Sequence, residues 1–258
     1  MTTFHSLTGD FPKKNTVVFS DMVGSAGPFG AVVSAGAGTT IVPVAYTNSN
    51  IDGADGVFGV AVCHLQDASN SVTYPRSGIY LSRPALGTVM RNWVPAGQPF
   101  TSMEVRTRTD GVYTETQHVV GFSVTHNNDA MTLAHAALST FHTGFHAYGG
   151  TNYWRMSVVI ASVILFDIVT DAKTAVWQVL RTTLSFDKDG LLTVSFFVNG
   201  KEIYSRTLSA VDSVAFGLCI AIPCVESRDK TVGAVGSGIS KQGILVDFIE
   251  LTQSHDRY

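Results

Sequence analysis

The run Tyr148-Gly-Gly-Thr-Asn-Tyr-Trp-Arg-Met-Ser-Val-Val-Ile-Ala-Ser-Val-Ile-Leu-Phe-Asp-Ile-Val-Thr170 decides how the chain is read. From Met156 to Phe166 it is almost unbroken apolar and half β-branched. That pattern predicts a strand buried on both faces, or a long strand bent across a sheet. At about 1.5 Å per residue the run is too short to cross a bilayer as a helix, and Asp167 interrupts it. The expectation is core, with no membrane contact. Tyr148, Tyr153 and Trp154 lead into the run through Gly149 and Gly150, which read as a bend where backbones come close.

Working outward, residues 174–186, 191–198 and 201–208 alternate in the manner of strands. Asn199-Gly200 is the strongest hairpin signal in the chain, and Asp187-Lys-Asp-Gly190 is a second turn of the same kind. Residues 213–222 and 243–251 read as closing strands around a glycine-rich loop. Upstream, residues 129–145 are the best helix candidate, with Met131, Leu133, Ala134, Ala137, Leu138 and Phe141 on one side. Residues 101–109 and 112–124 read as strands joined by a tight turn at Asp110-Gly111. Leu86, Val89, Met90 and Trp93 fit a short helical turn before Pro95. Earlier strand candidates lie at 16–20, 31–34, 40–46, 57–65 and 78–81, and residues 1–15 read as an extended arm. Many short strands, frequent turns and one or two short helices predict an all-β fold: a single-domain jelly-roll β-sandwich over residues 16–258.

Composition narrows the function. Charged residues are 14% of 258 and the net charge is −3, against about 25% charged in ordinary domains. No block of Lys or Arg occurs, which disfavours a protein that neutralises phosphates with its own side chains. Cys63, Cys219 and Cys224 are an odd count in no familiar framework and read as reduced, buried thiols. No basic segment followed by an apolar one opens the chain, so synthesis in a cytoplasm is expected.

Motifs for catalysis, phosphate binding and metal binding are absent, and neither enzymatic activity nor a cofactor is expected. The 48–56 loop lacks the twelfth-position Glu of a calcium loop. His142 and His146 are four apart and share a face of the expected helix, but no carboxylate or cysteine nearby completes a metal set, so they and His135 read as surface or interface histidines. A sandwich glycosidase needs two carboxylates across a cleft. Asp247 and Glu250, three apart on an expected strand, should point to opposite faces. Trp93, Trp154 and Trp177 could form a sugar-stacking platform, although each has the apolar neighbours of a core residue.

The segments Leu86-Gly-Thr-Val-Met-Arg-Asn-Trp-Val-Pro95 and Phe141-His-Thr-Gly-Phe-His-Ala-Tyr-Gly-Gly-Thr-Asn-Tyr-Trp-Arg-Met156 resemble the jelly-roll coat proteins of picornavirus-like RNA viruses. In that family a short helical segment is followed by an aromatic, glycine-containing turn that launches a long core strand. Tyr148, Gly149, Tyr153 and Trp154 match that turn and Trp93 the helical segment, while Gly150 departs from the arginine more common there. The resemblance implies a capsid subunit of a virion, assembled with copies of itself or sister coat proteins around genomic RNA, with no basic arm of its own to hold that RNA. A second resemblance points elsewhere. Gly190-Leu-Leu-Thr-Val-Ser-Phe-Phe-Val-Asn-Gly-Lys-Glu-Ile203 and Gly243-Ile-Leu-Val-Asp-Phe-Ile-Glu-Leu251 look like concanavalin-type lectin and laminin-G-like sandwiches, which implies a carbohydrate-binding module or, as a lesser alternative, a polysaccharide-cleaving enzyme.

Overall fold

The computed structural model describes residues 5–6, 13–20, 30–33, 41–42, 61–64, 76–80, 101–109, 116–123, 141–148, 151–217, 222–229 and 243–256. They form two antiparallel sheets packed face to face, with one short helix, which is the all-β sandwich expected. Sheet I has nine strands. Its path runs β1 (His5–Ser6), β2 (Lys13–Ser20), β16 (Gly243–Asp256), β7 (Thr101–Thr109), β12 (Gln178–Phe186), β13 (Leu192–Val198) and β14 (Lys201–Thr207). Off this path β5 (Ala61–His64) pairs with β16, and β4 (Ile41–Val42) with β5. Sheet II has seven strands, in the order β11 (Val163–Lys173), β10 (Tyr153–Ile160), β9 (His142–Tyr148), β8 (Thr116–Ser123), β15 (Ile222–Asp229), β6 (Arg76–Tyr80) and β3 (Gly30–Val33).

Alternation along each strand sends one set of side chains between the sheets. Phe145, Met156, Val158 and Phe166 from sheet II meet Val105, Leu180, Phe196 and Ile249 from sheet I in one buried cluster. Phe196 takes the edges of Phe145 and Phe166 at centroid distances of 5.6 and 5.9 Å. Full burial of such a side chain stabilises the fold by roughly 1.5–3 kcal/mol. Trp154 lies wholly inside this core, as its apolar neighbours in sequence imply.

The deciding run is two strands and not one. β10 and β11 form a hairpin whose turn residues, Ala161 and Ser162, have φ of 48° and 67°. The turn is hidden in the sequence because neither residue is Gly, Asn or Asp, the types that adopt positive φ at low cost. At Asn199-Gly200 the signal is explicit: β13 and β14 meet there with φ of 50° and 79°. The Asn199 side chain ties that tip to β12, accepting from Val179 N at 2.9 Å and donating to Gln178 Oε1 at 2.7 Å. Asp187 closes the β12–β13 turn through Oδ1, which accepts from the backbone N of Asp189 and Leu191.

Other expectations are corrected. The end of the supposed helix is strand β9, because His142, Gly144, His146 and Tyr148 alternate with Thr143, Phe145 and Ala147. Its residues 129–140, the helical turn at 84–93, and Gly149 and Gly150 lie outside the described residues. β7 and β8, expected as a tight hairpin, belong to different sheets. Residues 210–217, partly assigned to a strand, are helix α1 (Ala210–Gly217). Ser209 caps it, its Oγ accepting from Asp212 N at 3.1 Å, and this Ser-x-x-Asp signature outweighs the apolar character of the helix residues themselves. β2 begins at Lys13, inside the expected arm. Among the described residues no helix is long and apolar enough to cross a membrane.

Candidate functional site

The face of sheet II turned away from the core carries a run of polar side chains across β8 to β11. The registers Gln117↔Tyr148, Arg155↔His146 and Ser157↔Asp167 place these six residues on that face. Continuing the β9–β10 register sets Tyr153 opposite Tyr148. The alternation that hides Phe145 and Met156 between the sheets puts this set on the opposite face, where Gln117, His146 and Ser157 are buried, Tyr148, Arg155 and Asp167 are half-buried and Tyr153 is exposed.

Asp167 organises the cluster. A charged residue in an otherwise apolar run must be paired to be tolerated under partial burial. Its Oδ1 accepts from Arg155 Nε at 2.8 Å and lies 3.5 Å from His146 Nε2. His146 Nδ1 lies 3.1 Å from Ser157 Oγ. The His146 ring stacks on Tyr148 with centroids 5.5 Å apart and planes 10° from parallel, and the Arg155 guanidinium lies 5.6 Å from the centroid of the Tyr148 ring. Hydrogen bonding to Asp167 raises the Arg155 pKa, burial opposes that, and the charge of Asp167 adds to it. Burial pushes the Tyr148 phenol upward, Arg155 pulls it back and Asp167 adds to the rise. Arg155 therefore stays charged, and Tyr148 keeps its hydroxyl proton as a donor.

Ser157, His146 and Asp167 form a relay with the residue types of a hydrolytic triad. Ser157 is wholly buried in mid-sheet between Gly144 and Asp167, so no substrate carbonyl reaches its Oγ. The relay fixes the positions of Tyr148, Arg155 and Asp167 along the margin of the face. At that margin Tyr153 is 40% exposed, and Asp171 and Lys173 on β11 are exposed as well.

Next to Tyr148 stands Gln117, 1% exposed, whose Oε1 has no hydrogen-bond partner. An acceptor buried without a donor costs roughly 1–3 kcal/mol, so such groups are normally satisfied. On this face Gln117 stands opposite Tyr148, two strands from Tyr153 and Arg155 and three from Asp167.

The outer face of sheet I is built differently. Glu104 and Glu250 stand opposite each other, and Arg181 Nη1 lies 3.7 Å from Glu104. Desolvation raises the Glu104 pKa, Arg181 opposes this and Glu250 adds to it. A bulge between Val246 and Phe248 brings Asp247 to Arg106 at 2.7 Å. Asp247 and Glu250 thus serve the same face, contrary to simple alternation, because the extra residue resets the phase. Trp177 is no core residue: it is half-buried, with the Arg106 and Arg108 guanidinium groups 5.2 and 5.4 Å from its ring centroid.

Of the residues singled out in sequence, Tyr148 and Tyr153 come together on the outer face of sheet II, Trp154 is core, and Gly149 and Trp93 lie outside the described residues. His142 and His146 do share a face, since four residues is an even spacing on a strand, yet both are buried and neither is a surface histidine. Among the described residues no group of three His, Cys, Asp or Glu could hold a metal ion. Cys224 is buried, as expected. Gln117, Arg155, Ser157 and Asp167 are functional candidates that sequence reasoning misses. The signals present for them are the charge inside the apolar run and the even spacing of polar residues in His142–Tyr148.

No protein-family model matches the chain, and no curated protein matches its sequence. Solved structures do resemble it in fold. A protein of unknown function from Shewanella oneidensis MR-1 superposes with a TM-score of 0.55 at 14% identity, over 96% of this chain and 90% of that one. Lectin UEA-II, solved with galactose, gives a TM-score of 0.46 at 8% identity over 96% and 100%. The β-glucanase of Bacillus licheniformis gives 0.45 at 8% over 91% and 97%. None of the three bears the name of a coat protein. The likeness to the Shewanella protein is one of fold alone.

Proposed function

We propose that the chain is a carbohydrate-binding β-sandwich module that takes a neutral glycan at the outer face of sheet II, along β8 to β11. The observation that carries this is the ring of Tyr153, 40% exposed at the margin of that face and, by continuation of the β9–β10 register, opposite Tyr148. Tyr148 supplies a hydroxyl, Asp167 an acceptor, and Tyr153 an exposed ring on which a pyranose can stack. Arg155 is committed to Asp167, and Asp171 and Lys173 carry opposite charges. Among the described side chains of β9 to β11 no positive charge is in excess, which favours a neutral glycan over an anionic one.

Hydrolysis is not part of the proposal. Asp167 and Glu226 share this face but stand four strand spacings apart, about 19 Å at ~4.8 Å each. An acid and its partner carboxylate work within roughly 9.5 Å of each other. The capsid reading rests on an aromatic, glycine-containing turn, and its described aromatics serve two purposes: Trp154 fills the core, while Tyr148 and Tyr153 face outward. No observation of assembly favours it over the glycan site.

A glycan array probed with the full chain tests the proposal. Binding to neutral hexose-containing glycans that Tyr153→Ala weakens about tenfold is the expected result. Failure to bind any neutral glycan would end it.

A further inference from the structure

Strand β11 ends sheet II, with β10 on one side and no strand among the described residues on the other. Its apolar side chains meet solvent: Val163 is 58% exposed, Ile164 38% and Val169 52%. The open edge of sheet I lies on the same side of the sandwich. There Tyr204 of β14 packs on Phe166 at 5.1 Å, and Arg206 Nη1 donates to Leu165 O at 3.3 Å. That β14 edge carries exposed Lys201, Glu202 and Arg206, the charged guard that keeps natural edges from pairing. From Val163 to Val169, β11 has one charge, Asp167, and it is held by Arg155.

The stretch Val163-Ile-Leu-Phe-Asp-Ile-Val169 reads nearly the same in both directions about Phe166. In a two-fold contact every residue meets its own image, so a surface fits itself only if it is self-complementary. Antiparallel pairing about Phe166 sets the apolar end Val163-Ile164 against Ile168-Val169 twice. Asp167 falls opposite Leu165, so like charges do not face each other. The β10–β11 register slips by one residue at Leu165, and the two-fold gives both edges this same bulge at the same distance from the axis, so their local twist is matched. The pairing stretch ends at the next register shift, beside Thr170, whose Oγ1 donates to Trp154 O at 2.7 Å and accepts from Ala172 N at 3.1 Å. The carbonyl that Arg206 contacts retains a second lone pair for a partner strand.

We infer that β11 pairs antiparallel with β11 of a second copy of this chain about a two-fold axis near Phe166, joining two seven-stranded sheets into one. Light scattering coupled to size-exclusion chromatography of the full chain should give twice the mass of one chain. Val163→Lys and Val169→Lys, at the two ends of the pairing stretch, should each reduce it to the mass of one chain. Val211→Lys, on α1 and 79% exposed, should leave it unchanged. A circular dichroism spectrum unchanged in the lysine variants shows that the edge, and not the fold, has been altered. A wild-type mass of one chain, a shell-sized particle, or folded lysine variants that keep the mass of two chains would overturn the inference.

Discussion

Gly121 and Gly144 stand opposite each other on β8 and β9, with φ of +149° and +157°. A Cβ on Gly121 would lie 2.4 Å from Thr143 O, and one on Gly144 2.2 Å from Val120 O. Both contacts are with backbone, which cannot swing aside. The backbone conformation itself is nearly exclusive to glycine and costs other residues on the order of 1–3 kcal/mol. Gly144→Ala should therefore destabilise the fold by about 3 kcal/mol or more, as a lower urea midpoint would show. The Glu104–Glu250 pair acts in the other direction. Directly opposed like charges cost roughly 0.2–1 kcal/mol. Glu104 has its folded pKa raised, so its contribution is fully present below the unfolded value and is lost as pH rises through the folded value. Glu250→Gln should stabilise the protein by about 0.5 kcal/mol at pH 7 and by little at pH 3, where protonation of Glu104 has removed the repulsion. Urea titrations at the two pH values check the difference.

At the scale of elements, legibility follows turn chemistry. Asn199-Gly200 and Asp187–Gly190 are readable because their side chains and φ angles suit the turns they make. Ala161-Ser162 is not, and so one hairpin reads as one strand. Since both residues hold positive φ without the types that favour it, Ala161→Asn with Ser162→Gly should relieve strain and stabilise by about 1 kcal/mol. That corresponds to a rise in Tm of about 2–4 °C for a domain of this size, measurable by calorimetry. The expected helix over 129–145 shows a second limit. His142 and His146 satisfy both the helical and the strand period, and only the pairing of β9 with β8 and β10 decides between them. α1 escapes for a different reason: its eight residues are too short for periodicity, so the Ser209 cap is the signal that remains.

For the whole molecule, composition and strand density identify the sandwich, and long-range pairing decides the rest. β16 joins β2, β5 and β7, so the last strand of the chain ties together parts of sheet I that lie far apart in sequence. The candidate site arises in the same way. Gln117, His146, Arg155 and Asp167 come from four strands of sheet II and share no local motif. The edge pairing of β11 stops at Val169, short of Lys173, which stands opposite Tyr153. The central claim is that the Tyr153 margin of this face binds a neutral glycan. Isothermal titration of the strongest array ligand into wild type and Tyr153→Ala tests it most directly. We expect saturable binding by the wild type and an affinity about tenfold weaker in the variant, the loss of one stacked ring worth ~1.4 kcal/mol, with an unchanged circular dichroism spectrum. Equal affinity in the two proteins, or no binding in the wild type, would contradict the account.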